Sequence, residues 1–380
     1  MSDLRIDTIA IDDALGARFT LVRARAASFE TPRRSLSLTA SGPSDALIQL
    51  DPRSPGLVEL YRELSPSLLR SIDKDVARQK KFVDGLAQRV NRLPSREQCV
   101  LLVLSVPERG VRLLKDDAEY LADLCNAPFV SAVSVPAVTP RGAAEFLSFS
   151  KDFLDAFSRP QGIPLLGFIP QFAYRDIGKV LDFYLKRGIK DFVVDHNGHP
   201  ATALYPSIQL IRRRLGKAVG EGFYLHGLNV GTGPFRRVDP VSPARDFLGL
   251  VSGIDSIGPK HTVKRMPPEV WRRLHAQAPA MRRVFSRAEY GYRSPVSLRR
   301  ITRGRREEGM ISIAQVCSSP TAFSARVFST EKQGIEAAVV RSRIREGTLP
   351  RYVSRKAASR REVEQILRSN ASGQQVLDVN

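Results

Sequence analysis

Between Val100 and Pro259 the chain repeats one physical unit: a short apolar run rich in β-branched residues, a turn, and an amphipathic helical stretch. The runs are VLLVLSV (100–106), FVSAVSV (129–135), PLLGFIP (164–170), DFVVDHN (191–197), GFYLHGLN (222–229) and GIDSIGP (253–259). Their spacing of about 30 residues is that of βαβ units with one crossover helix each. Near-continuous apolar character marks strands covered on both faces, as in parallel sheets. The stretches between them read as helices; in RDIGKVLDFYLKRG, Ile177, Val180, Leu181, Tyr184 and Leu185 fall on one stripe. GAAEFLSFSKDFLDAF, PSIQLIRRRLG and SPARDFLGLVSG have the same character. Such units build either a closed barrel or an open doubly wound sheet. No GxGxxG follows the first strand, which removes the main support for a dinucleotide-binding sheet. The expected fold is therefore α/β, a (β/α)8 TIM-type barrel.

The flanks are less regular. ARFTLVRARAASFETPRRSLSLTA alternates and predicts an antiparallel hairpin region at the barrel entrance, with ALIQL (46–50) as the first barrel strand. Beyond Pro259, PPEVWRRLHAQAPAMRRVFSRAEYGY reads as a basic helix and SLRRITRGRREEG as a basic, turn-rich run. Thr330 with Gln333, and Ser359 with Glu362, have the spacing of capping boxes opening two late helices. The expected organisation is a barrel over residues 1–265 and a basic, partly helical C-terminal extension over 266–380, packed on the barrel because no low-complexity linker separates them.

Charge adds a functional constraint. Of a net +20, a surplus of 15 lies in residues 260–380, which hold 25 Lys and Arg against 10 Asp and Glu. A one-sided field of this size attracts polyanions, which predicts nucleic acid as a partner through Arg299, Arg300, Arg303, Arg305 and Arg306. Cys99, Cys125 and Cys317 are too far apart in sequence for a CxxC clip, so neither a thiolate metal site nor a disulfide framework is expected. No apolar run reaches the roughly 18 residues of a membrane span, and the acidic opening MSDLRIDTIAIDD lacks the pattern of a secretory signal. A cytoplasmic location without membrane contact is the expectation.

In parallel barrels the working residues sit at the C-terminal ends of the strands and in the loops that follow. That rule selects Gln171; Asp195, His196, Asn197 and His199; His226 and Asn229; and Asp255, Lys260 and His261. Asp195 and Asp255, facing one pocket, would divide the work of nucleophile and general acid in glycosidic chemistry; the alternative is that each is a helix cap or half of an ion pair. Asp195, His196, His199 and His226 have the chemistry of a hard divalent-metal site, although strand-end histidines more commonly only hydrogen-bond, and no metal or cofactor is assigned. GLNVGTGP, with Gly227, Gly231 and Gly233, either cradles a phosphate or forms a tight turn.

Three segments, in order, resemble the tRNA-guanine transglycosylase superfamily, the queuine and archaeosine tRNA-ribosyltransferases, including its branch that places 7-deazaguanine in DNA. SFETPRR (28–34) is similar to the family's entry segment. LLGFIPQF (165–172) is similar to the strand that delivers a base-recognising glutamine, here Gln171. FYLHGLNVGTGP followed by ARDFLGLVSGIDSIGPKH is similar to its glycine-rich strand, helix and GVDxFD strand end. Gly258 stands at the position of the family's nucleophilic aspartate, Asp255 matches the aspartate before it, and the CxCxxC motif and DSGGFQ segment are absent.

The resemblance implies exchange of guanine for a 7-deazaguanine base in tRNA or DNA. Asp255 would attack the sugar carbon, and Asp195 or His196 would manage the proton and the base edge. Gln171 would hydrogen-bond the base, His226, Asn229 and Gly231 would be further substrate-binding residues, and Lys260 with His261 would hold a flanking phosphate. Two other expectations stand beside it: a non-catalytic nucleic-acid-binding subunit of a modification complex, and a metal-dependent barrel hydrolase. A homodimer or a partner subunit is compatible with each.

Overall fold

The computed structural model describes residues 4–38, 56–93, 98–107, 113–157, 162–233, 240–261, 269, 272, 283–303, 308–318 and 322–375. The chain opens with β1 (Arg5–Asp12), β2 (Ala17–Ala24) and β3 (Ala27–Thr31), an antiparallel meander that is the expected N-terminal hairpin sheet. Two short strands follow, β4 (Arg33–Arg34) and β5 (Leu36–Ser37), then β6 (Leu57–Glu63), α1 (Pro66–Asp73), α2 (Val76–Asn91), β7 (Cys99–Val106), α3 (Lys115–Cys125), β8 (Ala132–Ser134) and β9 (Ala137–Val138). Next come α4 (Ala143–Ala156), β10 (Leu165–Ile169), α5 (Tyr174–Lys186), β11 (Phe192–Asp195), α6 (Tyr205–Val219), β12 (Leu225–Leu228), β13 (Ser242–Pro243) and β14 (Ser256–Ile257). The last third holds β15 (Val284–Ser286), β16 (Gly291–Arg293), α7 (Pro295–Ile301), α8 (Ile313–Ser318), α9 (Ala322–Arg345), α10 (Leu349–Ser354) and α11 (Arg360–Gln375).

Nine strands run parallel in the order β4-β14-β12-β11-β10-β8-β7-β6-β5. The two ends of this path, Arg33–Arg34 and Leu36–Ser37, are separated only by Ser35, so the sheet comes round on itself. The result is a nearly closed barrel-like sheet flanked by helices, consistent with a TIM-type barrel. Each of the six apolar runs contributes a strand; β7 covers the first run whole, and the other five strands are shorter than their runs. The segment 46–50, expected as a first strand, lies outside the described residues; β6 at Leu57–Glu63 is the strand that follows the seam.

The helices cover the sheet with their apolar stripes. In α5, Ile177, Val180, Leu181 and Tyr184 are buried at helical spacing. Each such fully buried large side chain contributes roughly 1.5–3 kcal/mol. Local chemistry starts the helices: Ser65 Oγ accepts from Leu68 N at 3.1 Å ahead of α1, and Asp75 accepts from Ala77 N at 2.9 Å ahead of α2.

The C-terminal third departs from its expected form. Part of the stretch read as one basic helix is an antiparallel pair, β15 with β16, to which β13 adds from the barrel side; the aromatic residues Phe285, Tyr290 and Tyr292 pack there, which favours strands over helix. Thr330 lies inside α9, so Thr330 and Gln333 do not open a helix; Gln333 instead bonds Tyr292 and Asp246. Ser359 does precede α11, but its hydroxyl donates to Tyr290 O at 2.5 Å. SPARDFLGLVSG gives a short 3-10 turn, Phe247–Val251.

The late helices share the barrel's core through Ala337, Val340, Ile344, Leu349, Val353, Val363 and Ile366. Arg341 in α9 donates to Pro32 O at 3.0 Å and pairs with Glu30, fastening the helix beside the seam. A second, smaller core gathers Val284, Leu298, Ile313, Val316, Ala325 and Phe328. No described helix is long and apolar enough to cross a membrane.

Candidate functional site

Parallel pairing keeps residues in register on the same face, so the strand registers decide which side chains enter the barrel. Followed round the sheet, they put Ser35, Ser37, Glu59, Tyr61, Ser105, Ser134, Asp195, His226, Ser256 and Gly258 on one face. Leu101, Val103, Leu166, Phe168, Val193 and Leu228 occupy the rest of that face. The interior is thus divided, with an apolar half built by β7, β8 and β10 and a polar half built by β11, β12, β14, β5 and β6.

Glu59 is the centre of the polar half. It is fully buried, with Oε1 3.0 Å from His226 Nε2 and Oε2 2.6 Å from His261 Nε2, and Ser35 Oγ also donates to it. Burial alone would raise the Glu59 carboxyl, but the two imidazoles outweigh it and hold the group down at about 2. His226 Nδ1 lies 2.7 Å from Ser256 Oγ, which also bonds the Tyr224 hydroxyl. The His261 ring stacks on Tyr61 with centroids 4.1 Å apart. A line of close polar contacts therefore runs Tyr224, Ser256, His226, Glu59, His261, hydrogen-bonded at each step except His226–Glu59, which is an ion-pair contact without hydrogen-bond geometry, with Tyr61 over its last member. A carboxylate between two imidazoles fixes the orientation of both rings and can hold or pass a proton.

Asn229 ties the backbone of His261 to Asp195 at the strand ends. Its Oδ1 accepts from His261 N at 3.0 Å, and its Nδ2 donates to Asp195 Oδ1 at 2.9 Å. Asp195 also accepts from Asn197 N at 2.9 Å. It is half-buried at the C-terminal end of β11, and burial raises its pKa against the pull of these two hydrogen bonds. The Tyr61 phenol stands among three carboxylates, Glu63, Asp195 and Glu59, whose charges add to burial in raising its pKa. The loops after β11 and β12 are bound together at the mouth: Gly198 N donates to Asn229 O at 2.8 Å and Gly231 N to His199 O at 3.0 Å. A side chain at Gly231 would strike the Gly198 carbonyl, so close approach of two backbones explains this glycine.

The expected residues divide into two groups. Asp195, His226, Asn229, Gly231 and His261 meet at this site. Lys260 is exposed beside them, its side chain lying against Gly198, and Gln171 Oε1 is 3.5 Å from Asn197 Nδ2 at the rim. Asp255 does not join them. It precedes β14 at the level of Leu225 and Phe192, three residues below Asp195, or about 10 Å along the strand. Arg18 Nη2 holds it at 2.5 Å and Leu225 N donates to it at 2.8 Å. Buried at the opposite end of the strands, it is half of an ion pair and shares no pocket with Asp195.

His196 faces away as well, since alternation puts it opposite Asp195, with its ring packed on Gly227. Its burial lowers its pKa to about 3, which keeps the ring neutral. Among the described residues no three His, Cys, Asp or Glu side chains are gathered as a metal ion would require, and His196 and His226 lie on opposite faces of the sheet. The metal-dependent hydrolase reading loses its ligand set. Arg299, Arg300 and Arg303 are exposed; Arg305 and Arg306 lie outside the described residues.

Glu59, Tyr61, Glu63 and Ser256 were not among the expected residues. The signal for Glu59 is present in LVELYRE: a carboxylate in the middle of a strand-like alternation, where no helix end could use it. No family model matches this chain, and no curated protein matches it.

Proposed function

We propose that this chain is a (β/α)8 TIM-type barrel enzyme that cleaves and re-forms the glycosidic bond of a nucleotide in tRNA or DNA, exchanging guanine for a 7-deazaguanine base, with Asp195 rather than Asp255 as the working carboxylate. The observation that carries this reading is Asp195 itself: a half-buried carboxyl at the strand ends, its pKa raised by burial, tied through Asn229 to the Glu59–His261 pair. A carboxyl so tuned suits a general acid. As the carbon–nitrogen bond breaks, its electron pair leaves with the base, which takes the proton of Asp195. Glu63, the exposed carboxylate on the same row beside Tyr61, supplies the negative charge the sugar carbon then needs. The incoming base returns a proton to Asp195 as it bonds to that carbon. The transglycosylase resemblance and the basic last third support a nucleic-acid substrate.

Incorporation of labelled guanine into tRNA and into duplex DNA tests the reading. Asp195→Asn should lower exchange at least about 100-fold; undiminished exchange in that variant would remove Asp195 from the chemistry. A second reading, a non-catalytic nucleic-acid-binding subunit, is favoured by the ion-paired Asp255 and by the absence of a side chain at Gly258. Exchange by the isolated wild-type chain would exclude it.

A further inference from the structure

We propose that Ser37 is an activated nucleophile, the hydroxyl of a Ser37–His261–Glu59 triad that accepts the acyl group of short-chain carboxylic esters; this goes beyond the base exchange proposed above. Ser37 ends β5, at the C-terminal ends of the strands where barrel chemistry sits, and it is half-buried rather than enclosed. Its Oγ lies 3.4 Å from His261 Nδ1, and the other ring nitrogen, Nε2, lies 2.6 Å from Glu59 Oε2. Carboxylate, imidazole and hydroxyl thus stand in the order of a catalytic triad, which is recognised by roles and geometry rather than by place in the chain.

The hydrogen bonds decide the tautomer. Burial raises the Glu59 carboxyl, and its two imidazole neighbours outweigh that and hold it at about 2. The carboxylate can only accept, so Nε2 carries the ring proton and Nδ1 presents its lone pair to Ser37. The ring is held in that orientation. Tyr61 stacks on it with planes 6° from parallel, and the His261 N–H donates to Asn229 Oδ1 at 3.0 Å. Ser35 Oγ and His226 hold Glu59 in turn. Contacts between nucleophile and base are commonly long in a resting site and tighten on substrate. A donor for the developing oxyanion comes from the same strand. Arg33 N and Ser35 N donate across the seam to Asp255 O and Ile257 O. Alternation turns the Ser37 N–H to that side too, one step beyond the end of β14, where it meets an ester bonded to its own Oγ.

In the reaction, Ser37 Oγ bonds the ester carbonyl carbon while its proton passes to His261 Nδ1. The bond from that carbon to the alcohol oxygen then breaks, and the departing oxygen takes the proton. Water reverses the sequence: its oxygen bonds the acyl carbon, its proton crosses Nδ1 to Ser37 Oγ, and the carboxylic acid leaves. Ser35, Glu59 and Tyr61 are the inward side chains beside Ser37, and the apolar half of the interior begins only at β7, two strands away. These polar neighbours suit a short acyl group and give a long chain no apolar surface on which to bury.

The test treats the full chain with a fluorophosphonate, which phosphonylates activated serines, and locates the adduct by peptide mass spectrometry; hydrolysis of p-nitrophenyl acetate and p-nitrophenyl octanoate is followed in parallel. The wild type should carry the phosphonyl group on Ser37 and hydrolyse the acetate with the higher kcat/KM. Ser37→Ala should lose both adduct and hydrolysis, and His261→Gln should slow both at least about 100-fold. Ser37→Cys should still be acylated by the acetate, as a thioester. Should Ser37→Ala fail to fold, the position of the adduct on the wild type decides alone. An unlabelled wild type, an adduct on another residue, or undiminished labelling of a folded Ser37→Ala overturns the triad. Preference for the octanoate overturns the assignment to short acyl groups.

Discussion

The Glu59 carboxylate occupies the space into which any side chain at Gly258 would project. Gly258→Ala must therefore displace a fully buried carboxylate from two imidazoles, at a cost of at least about 2 kcal/mol. In a Glu59→Ala background the same substitution should cost much less. Urea unfolding of the four proteins gives the coupling directly; additive effects would contradict the steric relation.

Asp255 predicts a loss of stability rather than a selective loss of activity. Asp255→Asn leaves Arg18, whose guanidinium has no exposed surface, without its shortest charge partner, and should cost about 3–5 kcal/mol. A variant that melts like wild type but exchanges no base would restore Asp255 to the mechanism.

Stability should fall in mild acid on account of His196. Its folded pKa is depressed to about 3, against about 6.5 in the unfolded chain. Its contribution is therefore fully present above about pH 6.5 and is lost as pH falls toward 3, with a slope of up to about 1.4 kcal/mol per pH unit. His196→Leu should flatten the dependence of the urea midpoint on pH between 6.5 and 5. Glu59, depressed to about 2, adds its loss only below the ordinary carboxylate range.

If Asp195 works in its protonated form, activity declines as pH rises through its pKa. Asn229 Nδ2 stabilises the charged form, so Asn229→Ala should raise that pKa and move the descending limb of the rate profile to higher pH. An unmoved limb would mean that another group sets it.

Strands buried on both faces could be read from the sequence because their apolar runs are continuous, as in VLLVLSV. Leu57–Glu63 was not, because this strand lines the polar half of the barrel: Glu59, Tyr61 and Glu63 point inward while Val58 and Leu60 face the helices. The same inversion hid the centre of the site. Asp195, His226, Asn229 and His261 were found by the strand-end rule, which knows nothing of side-chain direction. That rule also selected His196, which alternation turns outward, and Asp255, which register places at the wrong end. The aromatic pair of strands β15 and β16 was masked by arginines whose spacing suits a basic helix equally well.

The seam of the barrel is made by some of the earliest residues of the chain and secured by some of the latest. Arg34 lies 4.0 Å from Asp246, which bonds Tyr292 and Gln333, while Arg341 reaches back to Glu30 and Pro32. A ribosome delivering this chain from its N-terminus therefore releases the first seam strand long before its fastening exists. The sheet can gather as it emerges, but its edges are sealed only after α9 has been synthesised, which makes the cationic last third a folding element as well as a surface.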